Sequence, residues 1–311
     1  MGIKPRKTKK TTIIERETMK TSIRVIIHSP TKGSHEEEFN IIQFPSGEIG
    51  GHFSQGLVDF TAYAASSINN VIMIVKGYDK DTLFAVALAK EAIDDLVPHE
   101  YALKTVIFYY LPNARYDRHM FKGDAAALKV FAKQVNAMGF GAVCAVDPHS
   151  YVPDNLFNCF QSIPQKEIAV HYANDPLVDY LVAPDAGASK KIAETAKEVD
   201  KPYITMSKVR NLKTGEITGM RILDDVDLTD KTVMILDDIC DGGRTFIEAA
   251  KHLREAGAKR VELYVTHGIF SKGVENLLDN GIDHIYTTNT LGEAKDRGLT
   301  HYAKVTVATI D

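Results

Sequence analysis

The chain has 311 residues, of which 44% are hydrophobic and 25% charged, and carries a formal net charge of −4. At about 150 residues per domain, this length corresponds to two domains, and the composition is that of a globular protein rather than a disordered one. The longest apolar stretch, residues 83–89, is too short to span a bilayer, so no membrane role is expected. The mildly acidic balance argues against a specific nucleic-acid partner but leaves phosphorylated small molecules open.

Residues 1–20 hold Lys4, Arg6, Lys7, Lys9 and Lys10 without an apolar core. They read as a basic flexible tail, not a secretory signal, and a cytoplasmic location is expected. Beyond the tail, short β-branched runs alternate with stretches of helical spacing. Residues 71–75 read as a buried strand, followed by a helix that Asp81 or Thr82 caps and that runs toward Leu96. Residues 105–109 form a second strand. Asp124 is expected to cap a helix through Val130, Phe131 and Val135 that Gly139 ends, and residues 142–146 form a third strand. The grammar restarts with a strand at 181–183, a helix over 188–199, a strand at 233–236, a helix over 245–256 and a strand at 261–265. Continuous apolar strands alternating with helices imply mainly parallel sheets covered on both faces, here in two α/β halves joined near residues 155–165. Such sheets bind ligands at the carboxyl ends of their strands, where this chain places its charged and glycine-rich clusters.

Cys144, Cys159 and Cys240 are too few and too widely spaced for a disulfide framework, and Cys144 and Cys240 read as small buried hydrophobes. No Cys/His cluster has zinc spacing. His28, His52, His171 and His301 belong to no motif and read as surface or structural residues.

The sharpest motif is Val233-Met234-Ile235-Leu236-Asp237-Asp238-Ile239-Cys240-Asp241-Gly242-Gly243-Arg244-Thr245. An apolar strand ends in two acids, a tight loop follows, and a helix begins. Backbone N–H groups of such a loop, with the helix N-terminus, hold a phosphate. The glycines permit close approach, and Thr245 adds a hydroxyl.

This string resembles the phosphoribosyl-pyrophosphate loop shared by type I phosphoribosyltransferases and ribose-phosphate diphosphokinases. Further segments resemble the diphosphokinases in order along the chain: Phe44-Pro45-Ser46-Gly47-Glu48, Asn113-Ala114-Arg115-Tyr116-Asp117-Arg118, Asp147-Pro148-His149-Ser150, Ala183-Pro184-Asp185-Ala186-Gly187 and Thr266-His267-Gly268. The resemblance implies two phosphoribosyltransferase-like domains, 21–158 on the ATP side and 159–311 carrying the ribose-phosphate loop. Each is a mainly parallel sheet flanked by helices.

It further implies transfer of the diphosphoryl group of ATP to the anomeric hydroxyl of a ribose 5-phosphate compound, releasing AMP, with Mg2+ as cofactor. Asp237, Asp238, Asp241, Gly242, Gly243, Arg244 and Thr245 would hold the ribose phosphate. His149 and Asp185 would bind the metal. Phe44, Ser46, Glu48, Arg115, Tyr116, Asp117, Arg118 and His149 would form the ATP site. Lys208, Arg210 and His149 would be catalytic, the first two on a mobile loop that closes over the phosphates and excludes water. The Phe44 segment reaches a neighbouring subunit's adenine site in the family, which implies a homo-oligomer with sites near subunit interfaces.

The chain departs from the family pattern in substrate-recognition positions. Arg244 replaces a glycine, Tyr116 a glutamine and Ser46 an acid or amide, and the run after Ser150 is rebuilt as Tyr151-Val152-Pro153-Asp154-Asn155-Leu156-Phe157. Arg244 would either meet the second phosphate of a diphosphate or point to solvent. The expected acceptors are therefore ribose 5-phosphate, or ADP-ribose giving ADP-ribose 1-pyrophosphate in NAD biosynthesis. A phosphoribosyltransferase and a non-catalytic regulatory relative are the competing classes.

Overall fold

The computed structural model describes residues 21–98, 102–210 and 217–310. The basic tail lies outside the described residues, as does the stretch 211–216.

The first half contains β1 (Ser22–Ser29), β2 (Gly33–Glu38), β3 (Asn40–Gln43), β4 (Ile49–His52), α1 (Gln55–Ala64), β5 (Asn70–Lys76), α2 (Thr82–Leu96), β6 (Leu103–Phe108), α3 (Ala127–Ala137), β7 (Ala142–Val146) and β8 (Phe160–Ile163). Its sheet has the order β2-β1-β5-β6-β7-β8, and β3 and β4 form a separate two-stranded ribbon. The strands from β5 to β8 are parallel, whereas β1 runs antiparallel to both β5 and β2. The division at residue 158 therefore falls too early. Phe160–Ile163 pairs with β7 in the first sheet, and the chain leaves that sheet only afterwards.

Asp124 does not cap the following helix. Helix α3 starts at Ala127 without a side-chain cap, because the Asp124 carboxylate instead accepts from the backbone N–H groups of Met120 and Ala125. Gly139 does end that helix, in the left-handed conformation at φ 72°.

The second half contains α4 (Lys166–Ala173), β9 (Tyr180–Ala183), α5 (Ser189–Glu198), β10 (Tyr203–Arg210), β11 (Ile217–Ile222), β12 (Thr232–Cys240), α6 (Arg244–Glu255), β13 (Arg260–Gly268), α7 (Glu275–Leu278), β14 (His284–Thr288) and β15 (Val305–Ala308). Its strand order is β11-β10-β9-β12-β13-β14-β15, with only β11 antiparallel to its neighbour.

Strand order decides which faces the helices cover. From β5 to β7 the sheet grows in one direction, and right-handed crossovers place α2 and α3 on the same face. Leu57 of α1, Val86 and Ile93 of α2, and Leu128 and Phe131 of α3 accordingly share one core. On the opposite face Ile26, Ile72 and Ile107 are half-buried beside Ile74, Tyr109 and Val146, and the helix residue packed there, Ile168, comes from the second half. In the second half the chain runs outward from β9 to β10, then reverses through β12, β13 and β14. The reversal puts α5 with Leu181, Met234 and Leu236 on one face, and α6 with Ile235, Leu263 and Val265 on the other. The switch point of this doubly wound sheet lies between β9 and β12, where ligands bind in open parallel sheets.

The halves meet through the carboxyl ends of their parallel strands. Ile74, Tyr109 and Val146 pack with Ile168 and Ile310, and the Tyr109 hydroxyl donates to the Ile310 carbonyl over 3.1 Å. No described helix is long and apolar enough to cross a membrane.

Candidate active site

A cleft of about 680 Å³ opens at this junction. The first half supplies Arg115, Arg118, His149, Ser150 and Tyr151, and the second supplies Asp185, Lys191, Asp237, Asp238 and the loop 241–245. Residues more than a hundred positions apart in sequence therefore share one concave surface of ligand size.

Strand β12 extends past its pairing with β9, which carries Asp237 and Asp238 out beyond the switch point. Gly243 adopts a left-handed φ of 77° and launches α6. Unpaired N–H groups at the start of a helix favour an anion. Asp238 is buried and its Oδ2 lies 2.7 Å from His149 Nδ1, across the junction between the halves. That bond raises the His149 pKa against the opposing effect of burial. Burial alone would raise Asp238, but His149 and the charge of Lys191 outweigh it and hold the carboxyl at about 2. Its neighbour Asp237 is pushed well up, by burial first and then by the Asp238 charge.

Arg115 reaches across as well, with Nη1 donating to Asp241 Oδ2 over 2.7 Å. Arg118 donates from Nε and Nη2 to the two oxygens of buried Asp117, over 2.6 and 2.7 Å. Ser150 Oγ donates to the same carboxylate over 2.6 Å. Asp117 thus holds Arg118 rather than facing the cleft. Asp185 Oδ1 accepts from the Gly187 and Ala188 N–H groups at the start of α5.

Some expected residues lie elsewhere. Phe44, Ser46 and Glu48 sit at the tip of the β3–β4 ribbon, where Ser46 Oγ donates to Glu48 Oε2, and none lines the cleft. Tyr116 is exposed and does not line it either. Lys208 and Arg210 fall on the end of β10, but their side chains lie outside the described residues. Cys240 is buried and its thiol is pushed up to about 12, mainly by burial, in keeping with its reading as an inert core residue.

The sequence motifs give no signal for two lysines at or beside the cleft, Lys191 and Lys272. Lys191 is one of two adjacent lysines on α5, yet its Nζ donates to buried Asp147 Oδ1 over 2.7 Å and to the Pro148 carbonyl over 2.8 Å. Lys272, in the loop after β13, lays its side chain against Gly242, with Cε 3.7 Å from the point where a Cβ would sit. Tyr151 holds Lys190 Nζ over its ring, 4.8 Å from the centroid.

Residues 153–295 match the phosphoribosyl transferase domain family. The ribose-phosphate pyrophosphokinase of Sulfurisphaera tokodaii is 30% identical over 190 residues, covering 60% of this chain and 65% of that protein. That of Saccharolobus solfataricus is 27% identical over 276 residues, covering 86% of this chain and 92% of the relative. The crystal structure of phosphoribosylpyrophosphate synthetase from Mycobacterium smegmatis superposes with a TM-score of 0.70 at 21% identity, covering 88% of this chain and 86% of that one. The similarity to ribose-phosphate pyrophosphokinases thus extends along most of the chain. The structural likeness establishes the fold across both halves of the chain, including the first half that the domain match leaves out.

Proposed function

We propose that the protein transfers the diphosphoryl group of ATP to the anomeric hydroxyl of a ribose 5-phosphate compound and releases AMP. The observation that carries this reading is the 2.7 Å approach of His149, from the first half, to Asp238 at the acidic end of the phosphate loop in the second. A phosphoribosyltransferase needs the loop alone. The reading here uses a second surface, with Arg115, Arg118 and His149 facing that loop.

In this reading the sugar hydroxyl attacks the β-phosphorus, the bond from that phosphorus to the oxygen bridging the α-phosphate breaks, and AMP departs. Such transfer depends on positioning and on neutralising charge. The loop 241–245 cradles the 5-phosphate, and Asp237 and Asp238 hold the ribose hydroxyls. Arg115 and Arg118 meet the ATP phosphates in the bidentate manner that suits guanidinium. Lys208 and Arg210 close over the reacting groups.

The donors fit magnesium. Asp185, Asp237, Asp238 and His149 line one cleft, and a cation there would offset the burial and the Asp238 charge that together push Asp237 up. Magnesium keeps several waters and takes oxygen ligands from substrate phosphates, so a few protein carboxylates suffice to hold it. Bound with ATP, magnesium would neutralise phosphate charge.

The acceptor we favour is ADP-ribose, giving ADP-ribose 1-pyrophosphate for NAD biosynthesis. Exposed Arg244 and Lys272 flank the loop glycines, which puts two cations beside the loop that this reading gives to the first phosphate. Phe44, half-exposed on a ribbon that does not line its own cleft, suits the adenine site of a neighbouring subunit in a homo-oligomer. Incubating the protein with ATP, magnesium and either ribose 5-phosphate or ADP-ribose, with product masses and AMP measured, tests the reading. AMP and a diphosphorylated sugar are expected, and no AMP with either acceptor refutes it.

A further inference from the structure

We infer that Lys191 is a positioning residue that sets the distance between the two halves of the reaction site, through Asp147. The inference rests on the transfer reading above. Asp147 stands at the carboxyl end of β7 in the first half, 1% exposed, with a left-handed φ of 38° that a non-glycine residue rarely adopts. Its carboxylate is gripped by the second half. Lys191 Nζ donates to Oδ1 over 2.7 Å, while Thr266 Oγ1 and Gln165 Nε2 donate to Oδ2 over 2.6 and 3.0 Å. Two other second-half contacts seize the backbone on either side. His267 Nε2 lies 3.1 Å from the Val146 carbonyl, and Lys191 also takes the Pro148 carbonyl.

The segment held this way leads directly into the cleft. His149 follows Pro148 and meets Asp238, and Ser150 holds the Asp117 carboxylate that fixes Arg118. A shift of Asp147 therefore moves the imidazole and, through Ser150 and Asp117, the guanidinium. Lys191 is the cationic member of the grip, and it lines the cleft beside Asp237 and Asp238. A buried carboxylate needs a charged partner as well as hydrogen bonds, so this lysine decides whether the grip holds. Each half keeps its own ligand-binding groups whether or not the grip holds; what the grip supplies is their mutual placement. Placement of two reactants acts on the rate of transfer more than on the affinity for either one.

The test is the Lys191→Met variant, with Lys191→Arg as the conservative rescue. The parent protein is first shown to release AMP; if it does not, the transfer reading fails and not this inference in particular. For Lys191→Met, kcat should fall about 100-fold, the loss typical of misplaced reactants, while calorimetric affinities for ATP alone and for acceptor alone stay within about threefold of the parent. Lys191→Arg should recover most of the rate. If Lys191→Met does not fold, the pair Asp147→Asn with Lys191→Gln removes both charges, keeps a donor and an acceptor, and should show the same split between rate and affinity. An unchanged kcat overturns the inference. So does a drop in affinity for one ligand as large as the drop in rate, which would make Lys191 a direct ligand contact.

Discussion

His149 and Asp238, 89 positions apart in sequence, join the two halves of the molecule through one 2.7 Å contact at the floor of the cleft. The contact raises the His149 pKa, so the imidazolium is favoured by folding. The sign follows from linkage. A raised histidine stabilises fully below its unfolded value near 6.5, and its contribution is lost as pH rises through the folded value. In magnesium-free buffer, Asp238→Asn should lower the His149 titration midpoint seen by NMR. It should also flatten the fall in melting temperature as pH rises above neutrality. A midpoint unchanged in the variant would show that Asp238 does not set it.

The Arg115–Asp241 pair makes the same crossing at the rim, with its two side chains 48% and 40% exposed. Exposed ion pairs contribute at most about 1 kcal/mol, so Arg115→Ala should barely change the melting temperature. Its effect on catalysis should be far larger. Removing a guanidinium from the transferring phosphates should cost on the order of 100-fold in kcat/KM. A matched loss of stability and rate would mean that the pair serves the fold and not the chemistry.

What the sequence revealed follows from how locally each feature is written. The loop from Asp237 to Thr245 is contiguous, and strand, acids, glycines and helix start all fall where their order implies. Strands β5, β6, β7, β9, β12 and β13 are legible for the same reason, whereas the short β8, β14 and β15 escape the alternation of strands and helices. The one-sided helix layer of the first half was not legible, because it follows from strand order, and periodicity carries no information about which strands become neighbours. Asp124 has the chemistry of a cap, but its carboxylate turns back to Met120 and Ala125. Lys191 looks like any helical lysine until Asp147, 44 positions earlier, is folded against it.

Arg244 and Lys272 set up a contrast between acceptors. Lys272 rests its stem on Gly242, and Arg244 opens α6 at the cleft edge. A charge-assisted hydrogen bond contributes about 1.5–3 kcal/mol, equivalent to roughly 10- to 100-fold in affinity. Lys272→Ala and Arg244→Gly should each raise KM for ADP-ribose by a factor in that range and change KM for ribose 5-phosphate much less. Equal increases for the two acceptors would place these cations on the 5-phosphate itself, and the preference for a diphosphate would have to come from elsewhere.

Gly243 isolates the geometry of the cradle from its charge. Its φ of 77° is left-handed, and a Cβ there would lie 2.8 Å from Leu277 Cδ2. Gly243→Ala therefore meets two costs, about 1–2 kcal/mol for the backbone conformation and a further displacement of Leu277 or of the loop. Leu277 is buried in the core that α6 shares with β13, so the softer response is movement of the loop. That movement turns the N–H groups away from the 5-phosphate. The variant should melt several degrees lower, retain its affinity for ATP, and lose most of its affinity for the acceptor, as read by calorimetry with each ligand separately. Full acceptor affinity in a destabilised Gly243→Ala protein would show that the phosphate is held by side chains and not by the backbone of this loop.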